Sequence, residues 1–240
     1  MSDKPARKWG DRRDGRYIRV PGLQTIMGYL FPNRTDSEVY LSDKLDATEL
    51  LKYLDKINAE HPEYKTTIFH CVLTCVARII RERPKLNRFI QGYRTYERDE
   101  ISLSFVAKRR FADGAEESLM VLVPKDDDNL ESISRKVVGD VKEMRKSEKA
   151  TGGIDELLDK FAAIPRPILM IVIRIIRILD FWGINPKALT EGDPNYTTVL
   201  LSNLGSIRCP HVYHHLNNYG TNSIMITVGT LHKEELLMPD

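Results

Sequence analysis

The sequence predicts an α/β sandwich built on a mixed β-sheet. Apolar residues recur at helical spacing in some segments and alternate with polar residues in others, so helices and strands share the chain. These segments follow no strict strand–helix–strand order and no internal repeat is visible, which favours a mixed sheet. With 240 residues, 42% of them hydrophobic and 29% charged, the composition is that of a soluble globular protein with a sizeable core.

Three segments have the pattern of helices. Residues 47–61 place leucine and isoleucine three or four positions apart, and residues 66–84 are mostly apolar and stop at a proline. Residues 129–148 form an amphipathic pattern that Asn129 can cap. His70 lies among apolar neighbours in the second segment, and we interpret it as a core histidine rather than a base.

Other segments have the pattern of strands. Their apolar residues alternate with polar ones, or form short apolar runs bounded by turn residues. The predicted strands lie in residues 39–47, in a strand–turn–strand unit over 85–110, and in residues 117–125, 197–205 and 223–235.

Charge and cysteine content exclude several classes of protein. The 36 basic and 34 acidic residues leave a net charge of +2, which gives no argument for a nucleic-acid partner. Basic residues do cluster in residues 1–16, which we expect to form a flexible basic arm before a domain over residues 17–240. The alternative is that this arm contacts a phosphate or a partner.

The chain starts without a signal-peptide pattern, so we expect a cytoplasmic protein. Three cysteines make no disulfide framework, and Cys71 and Cys75 are predicted to be core residues.

Residues 154–184 differ from the rest and are predicted to be a helical insertion. Residues 154–164 have a narrow apolar stripe, and the Pro-Arg-Pro that follows breaks the helix and can start the next one. Residues 168–184 are almost wholly apolar. We expect the two helices, on either side of Pro-Arg-Pro, to form an antiparallel hairpin.

Three interpretations of residues 168–184 stay open. The segment is too short and too polar for a comfortable membrane span, because Arg174, Arg177 and Asp180 form a narrow polar strip along it. It can be buried against the domain or a neighbouring subunit. It can also be a membrane-surface helix with Trp182 and the arginines at the headgroups, or a lid over an acyl channel.

The order of three stretches resembles the catalytic domain of the 2-oxo acid dehydrogenase complex acyltransferases. The stretch RPKLNRFIQGYRTYERDEISLSFVA contains a helix end with a Pro-x-Leu-Asn turn followed by a strand pair. TTVLLSNLG contains the S-N-L-G of a family signature, and SIMITVGTLHKEE looks like the strand that follows it in the family. The resemblance covers roughly residues 17–148 and 196–238, and chloramphenicol acetyltransferase, which has the same fold, is similar at the same coarse level.

The resemblance implies a two-layer α/β sandwich of the chloramphenicol acetyltransferase type that assembles as a homotrimer. In that family, acyl-CoA and the acyl acceptor enter a channel between subunits from opposite sides. A histidine in an H-x-x-x-D-G motif takes the proton of a thiol or hydroxyl, which attacks the acyl thioester. A serine hydroxyl donates a hydrogen bond to the tetrahedral oxyanion.

Carried over residue by residue, the resemblance makes Ser202 and His215 the candidate catalytic residues. Ser202 has the position of the S-N-L-G serine, although Ser202 and Asn203 can also simply form a turn. His215 begins His-Leu-Asn-Asn-Tyr-Gly, which resembles H-x-x-x-D-G with Tyr219 in place of the aspartate. His215 follows Ser202 by only thirteen residues and precedes the last predicted strand, whereas the family's base follows that strand. We therefore expect the base to come either from beyond Asp240 or from His215.

The same loop offers candidates for substrate binding. The resemblance places it near the substrate channel, where Arg208, His214 and Asn217, together with Asn203, can bind the phosphates or pantetheine of CoA. The alternative is a polar interface loop with solvated imidazoles. A metal site is disfavoured because no carboxylate lies at ligand spacing from these histidines, and no tightly bound cofactor is expected, since the CoA thioester is a substrate.

Two functions stay open at this stage. The first is a CoA-dependent acyltransferase that moves an acyl group from a CoA thioester to a thiol or hydroxyl acceptor. The second is a catalytically inactive relative that binds CoA or acts as a scaffold for a partner. The absence of H-x-x-x-D-G within these 240 residues favours the second, and a histidine further along the chain would favour the first.

Overall fold

A computed structural model describes residues 7–108, 117–146, 161, 163–184, 190 and 192–233. The described helices are α1 Gly22–Leu30, α2 Thr48–Glu60, α3 Ile68–Glu82, α4 Leu130–Lys146 and α5 Arg166–Phe181. The described strands are β1 Gly15–Tyr17, β2 Arg88–Gln91, β3 Arg94–Arg98, β4 Leu103–Lys108, β5 Glu117–Leu122, β6 Val199–Asn203 and β7 Ile224–Val228.

The strands form two sheets, and the larger one is mixed as predicted. Its order is β5-β4-β6-β7, with β4 and β5 antiparallel and with β6 parallel to both of its neighbours. The smaller sheet has the order β1-β3-β2 and is antiparallel throughout. The α/β sandwich predicted from the sequence is confirmed.

The core lies between the larger sheet and helices α3 and α4. Strand alternation turns Leu103, Val199 and Leu201 toward the helices, where all three are fully buried. Helix α3 contributes Phe69, Leu73, Ala77 and Ile80, and α4 contributes Ile133 and Val137, at the three- or four-residue spacing of one helix face. This arrangement leaves the opposite face of the sheet outside the core cluster.

The predicted helices and most predicted strands occur close to their expected limits. Asn129 caps α4 as expected, because its Oδ1 accepts a 2.9 Å hydrogen bond from the backbone N–H of Ser132. His70 is buried in α3, and its Nδ1 accepts from the N–H of Thr67 at 3.2 Å. Cys71 is buried, but Cys75 is exposed, so the prediction that both are core residues is wrong for Cys75, which lies on the outer side of α3.

Two predictions for the first part of the chain need correction. Residues 39–47 do not form a strand, because no described strand runs beside them, and Val39 and Leu41 are 92% and 91% exposed. The predicted basic arm over 1–16 is structured in its second half. Arg12 is 2% exposed and pairs with Asp180 at 3.0 Å, while β1 begins at Gly15; residues 1–6 lie outside the described part of the chain.

Most of the first half of the predicted hairpin, residues 154–164, also lies outside the described residues. Its second half is helix α5, which begins two residues earlier than predicted. Within α5 only Asp180 is buried, so the interpretation in which residues 168–184 are buried against their own domain does not hold. No helix in the described ranges is long and apolar enough to cross a membrane.

Candidate functional site

Ser202 lies near the end of β6 and faces away from the helical layer. Val199 and Leu201 point into the core, so the period of two turns Leu200 and Ser202 to the opposite face. Ser202 is half-buried, and no hydrogen bond involves its hydroxyl within the described chain. The sequence therefore placed this hydroxyl correctly at a strand end, and the structure leaves it available as a donor.

The sheet face around Ser202 is largely apolar. Thr227 on β7 is its direct neighbour across the parallel pair, and Leu200 is paired with Met225 in the same register. Further along the face, Val106 on β4 is opposite Leu119 on β5, which is 45% exposed. Ser202 thus offers one hydroxyl at the border of an apolar, partly open surface, where a hydrogen bond is stronger than in water.

The loop after β6, residues 209–222, starts at the same end of the sheet as Ser202 and returns to the opposite end, where β7 begins. Thr227 Oγ1 donates to the carbonyl of Val212 at 2.8 Å, so the residue next to Ser202 is bonded to the loop. The loop also approaches Gly229 closely, since a Cβ there would lie 2.5 Å from the backbone nitrogen of His211. A glycine at this position is what lets the loop and the end of β7 approach each other.

The loop presents both neighbouring histidines in one defined tautomer. His214 Nδ1 is 2.6 Å from the carbonyl oxygen of His215, and His215 Nδ1 is 3.1 Å from that of Leu216. A carbonyl oxygen can only accept, so in the neutral form of each ring Nδ1 carries the proton and Nε2 has the lone pair. Both rings are exposed, and their Nε2 atoms can therefore accept a proton from a bound molecule.

The structure divides the remaining candidate residues between the two ends of the larger sheet, and no hydrogen bond in the described chain joins them to one another. Asn203 ends β6, and Arg208 follows in a left-handed conformation with φ 57°, its side chain exposed. Asn217 donates to Asn195 Oδ1 at 2.9 Å, which ties the middle of the loop to the segment before β6. No hydrogen bond among the described residues links Ser202 to His215 within one chain.

A buried arginine, Arg98, and a half-buried one, Arg34, hold the far end of the loop, and sequence reasoning missed both. Arg34 donates to the carbonyl of Asn222 at 2.7 Å and to that of Gly220 at 2.5 Å. Arg98 donates to Tyr196 O at 2.9 Å and to both oxygens of Thr221. No carboxylate pairs with Arg98 in the described residues, and burial lowers its pKa to about 10. Neither arginine belongs to a sequence motif, so no pattern could have identified it.

A polar network beneath the loop completes this anchoring. Asn222 donates to Pro194 O at 2.7 Å and to Thr197 Oγ1 at 2.8 Å. Asp193 accepts from the backbone and side chain of Asn195, both at 2.8 Å, and burial nevertheless raises the pKa of its carboxyl group. The loop over residues 209–222, hereafter the histidine loop, is therefore held by buried hydrogen bonds where it joins β7, while His214 and His215 are exposed.

The segment predicted as a strand instead packs along this loop. Glu38 Oε1 accepts from the N–H of Leu216 at 2.6 Å, and Ser42 Oγ lies 2.8 Å from His211 Nε2. The rings of Tyr40 and Tyr213 meet edge to face at 5.7 Å. These contacts attach the extended segment to the loop through side chains, in place of the backbone hydrogen bonds that a neighbouring strand would provide. Among the described residues, no group of His, Cys, Asp and Glu is arranged to hold a metal ion.

Comparison with known proteins shows the fold. No family model matches the sequence, and no curated protein sequence does. A probable dihydrolipoamide acetyltransferase from Listeria monocytogenes is similar in structure, with 16% identity, a TM-score of 0.56, and 93% of this chain and 78% of that one covered. The truncated catalytic core of a 2-oxoacid dehydrogenase multienzyme complex from Thermoplasma acidophilum has 14% identity, a TM-score of 0.54, and coverage of 90% and 81%.

A third similar structure is the dihydrolipoamide acetyltransferase of Azotobacter vinelandii. It has 13% identity and a TM-score of 0.53, with 92% of this chain and 76% of that one covered. In that protein a serine, a histidine and an asparagine have been studied for their role in the catalytic mechanism. This chain therefore has the catalytic-core fold of dihydrolipoamide acyltransferases, as the resemblance in the sequence implied.

Proposed function

We propose that the protein is a CoA-dependent acyltransferase whose site lies between Ser202 and the histidine loop. The observation that carries the proposal is the unpartnered Ser202 hydroxyl on the open sheet face, in a fold shared with acetyltransferase cores. The loop that is bonded to its neighbour Thr227 through Val212 also carries two exposed imidazoles whose Nε2 atoms can accept a proton. A hydrogen-bond donor and a base are the two groups that acyl transfer requires.

In the proposed reaction, His215 Nε2 takes the proton from the thiol or hydroxyl of the acceptor. The acceptor's sulfur or oxygen attacks the thioester carbon of acyl-CoA, and the carbonyl oxygen becomes a tetrahedral oxyanion. The Ser202 hydroxyl donates a hydrogen bond to that oxyanion. The intermediate then expels the CoA thiolate, which takes the proton back from the imidazolium, so the products are the acylated acceptor and CoA.

Arg208, His214, Asn203 and Asn217 have the roles of CoA-binding residues in this proposal. Arg208 is an exposed cation next to the S-N-L-G bend, and guanidinium groups bind phosphate oxygens well. The amide groups of Asn203 and Asn217 can bond the amides of pantetheine. Because the base His215 and the donor Ser202 are not bonded to each other in one chain, we expect the site to be completed between copies of the chain in a homotrimer.

The second candidate is a catalytically inactive relative that binds CoA or a partner. It is favoured by one observation, which is that His214 and His215 are both exposed and neither is bonded to a carboxylate in the described chain. A base without a charged partner gains no stabilisation for its protonated form, as a carboxylate would give. The two candidates differ in whether acyl-CoA is cleaved or only bound.

The test measures release of CoA thiol from acetyl-CoA with a free thiol acceptor, using the wild-type protein and three variants. We expect Ser202→Ala to lower kcat by about 10²-fold, because one oxyanion donor is lost. His215→Ala should lower it by about 10²- to 10⁴-fold, because proton transfer is lost. His214→Ala should retain most of the activity. CoA binding, measured by calorimetry, should persist in Ser202→Ala.

Two results would contradict the proposal. Equal and mild effects of His214→Ala and His215→Ala would assign the pair to binding or structure. A wild-type protein that binds CoA and cleaves no thioester would support the inactive relative instead.

A further inference from the structure

Helix α5 is held to the domain mainly at its C-terminal end. Arg12 Nη1 donates to the carbonyl of Asp180 at 2.7 Å, and Arg12 Nη2 pairs with the Asp180 carboxylate at 3.0 Å. The rings of Tyr93 and Phe181 meet edge to face at 5.4 Å. Asp180 is the only buried residue among the sixteen of the helix, so the rest of α5 stands out from the core.

An apolar stripe runs along the exposed side of α5. At 100° per residue its members fall within an arc of roughly 80°, on the side of the helix opposite Asp180. Each of them is more than half exposed. The stripe consists of Ile168, Ile171, Ile175, Ile178 and Trp182, which are 54%, 61%, 51%, 54% and 68% exposed. So many branched apolar side chains on one exposed face mark a binding surface rather than ordinary solvent exposure.

The exposed charges of this helix are all positive. Arg166, Arg174 and Arg177 are exposed, and none of them pairs with an acidic residue in the described ranges. The one acidic side chain of α5, Asp180, is buried and neutralised by Arg12. Two of the arginines, Arg174 and Arg177, line a shallow depression together with Ile178, Phe181 and Trp182.

These features together fit an anionic bilayer better than a protein partner. An interfacial helix needs an apolar face that enters the acyl chains, flanking arginines at the headgroup level and an aromatic residue at the boundary. Helix α5 has all three, with the guanidinium groups on one flank of the stripe and Trp182 at its end. Its sixteen residues are too few to span the bilayer, so it would lie in the surface.

We propose that α5 docks the protein on membranes that contain anionic phospholipids. The isoleucine stripe enters the acyl-chain boundary, and Arg174 and Arg177 bind lipid phosphates. The Arg12–Asp180 pair fixes the end of the helix, so that the stripe faces away from the domain. This inference does not depend on acyl transfer, and it holds or fails without it.

The experiment is flotation of the full chain with vesicles. We expect the protein to float with vesicles of phosphatidylcholine and phosphatidylglycerol, to stay behind with pure phosphatidylcholine, and to be released by high salt. On a Trp9→Phe background Trp182 is the remaining tryptophan, and its fluorescence should shift to shorter wavelength with anionic vesicles.

Two variants test the two halves of the surface. Ile171→Ser combined with Ile175→Ser removes apolar contact and keeps the charge. Arg174→Glu combined with Arg177→Glu reverses the charge and keeps the stripe. Each should lower the partition coefficient on anionic vesicles by more than about tenfold. Both changes are on exposed side chains, so circular dichroism should show an unchanged fold.

The matched control is Lys56→Glu combined with Arg83→Glu, which changes net charge equally on exposed residues of other segments. It should float like the wild type. The proposal is overturned if the wild type does not float with anionic vesicles, or if the control loses as much binding as the α5 charge variant. It is also overturned if sedimentation shows that the isoleucine variant only dissociates an oligomer, since the stripe would then bind a second copy.

Discussion

At the scale of the residue, Ser202 shows how far the sequence alone could reach. The sequence predicted a strand over residues 197–205, and the structure has β6 at Val199–Asn203 with Val199 and Leu201 buried, so Ser202 takes the opposite face. The sequence could not predict that the Ser202 hydroxyl has no hydrogen-bond partner among the described residues, because this depends on which polar groups the neighbouring strand and loop place near it. Its catalytic role stays a prediction.

The two neighbouring histidines show what the sequence could not predict. The sequence identified His214 and His215, but their tautomers are set by two backbone carbonyls whose position depends on the whole loop. That loop is held by Arg34 and Arg98, which lie far away in the chain and reach it only through the fold. A local motif cannot carry such information.

His70 gives a prediction of stability against pH. Burial lowers its pKa to about 4, against about 6.5 in an unfolded chain. Between these values the unfolded state binds the proton and the folded state does not, so stability falls as pH decreases from 6.5 to 4. The slope from this group is at most about 1.4 kcal/mol per pH unit. Denaturant unfolding of the wild type and His70→Gln at several pH values measures it, and the variant should have a shallower slope in this window.

The matched control for this measurement is His61→Gln, which removes a histidine whose side chain is 38% exposed. If this control changes the slope as much as His70→Gln does, the change cannot be assigned to burial of His70. Equal slopes for the wild type and His70→Gln would show that burial of His70 does not govern the acid sensitivity.

At the scale of the element, the spacing of apolar residues predicted most of the helices and strands that the structure has. Helices α2, α3 and α4 and most strands occur where the apolar spacing indicated. Helices α3 and α4 and the strands of the larger sheet do so because they bury their apolar faces on one core. Residues 39–47 failed for a physical reason, since an alternating pattern makes a strand only where a neighbour supplies hydrogen bonds, and here the histidine loop supplies side-chain contacts instead.

Asp180 illustrates a second limit at this scale. The sequence placed it on one polar strip with Arg174 and Arg177, as if all three faced solvent. The structure turns Asp180 inward because Arg12, from the supposed flexible arm, reaches it across 168 positions of the chain. Only the tertiary contact separates the buried carboxylate from the two exposed arginines.

This contact gives a prediction about helix α5. Asp180→Asn removes one of the two carboxylates that pair with Arg12, whose side chain is 2% exposed, and leaves Asp14 at 2.9 Å as its remaining acidic partner. We expect the free energy of unfolding to fall by about 2 kcal/mol, because the buried cation stays partly compensated. Chemical denaturation measures the loss, and limited proteolysis should cut near α5 faster because the helix loses its attachment.

The control is Glu82→Gln, which breaks the exposed Arg78–Glu82 pair at 2.9 Å on α3. An exposed pair of this kind contributes less than about 0.5 kcal/mol. If Asp180→Asn is as mild as this control, the Arg12–Asp180 pair does not anchor the helix.

At the scale of the whole molecule, the two faces of the larger sheet differ. One face carries the core with α3 and α4, and the other holds Ser202 and an apolar surface that the core cluster does not include. The similar structures include the truncated catalytic core of a 2-oxoacid dehydrogenase multienzyme complex. A candidate site on a partly open apolar face is consistent with completion by another copy of the chain, and the sequence could predict this only through its resemblance.

The last prediction concerns that open face. Leu119 on the edge strand β5 is 45% exposed and is paired with Val106 across the strands, so Leu119→Lys places a charge on the apolar surface. We expect the wild type to sediment as a trimer and Leu119→Lys to shift toward the monomer, because burying an unpaired ammonium between subunits is costly. Ile79→Lys, on the half-exposed outer side of α3, is the matched control and should leave the trimer intact. A monomeric wild type, or a trimer that Leu119→Lys does not weaken, would place the subunit contact elsewhere and would remove the reason for expecting Ser202 and His215 to act between chains.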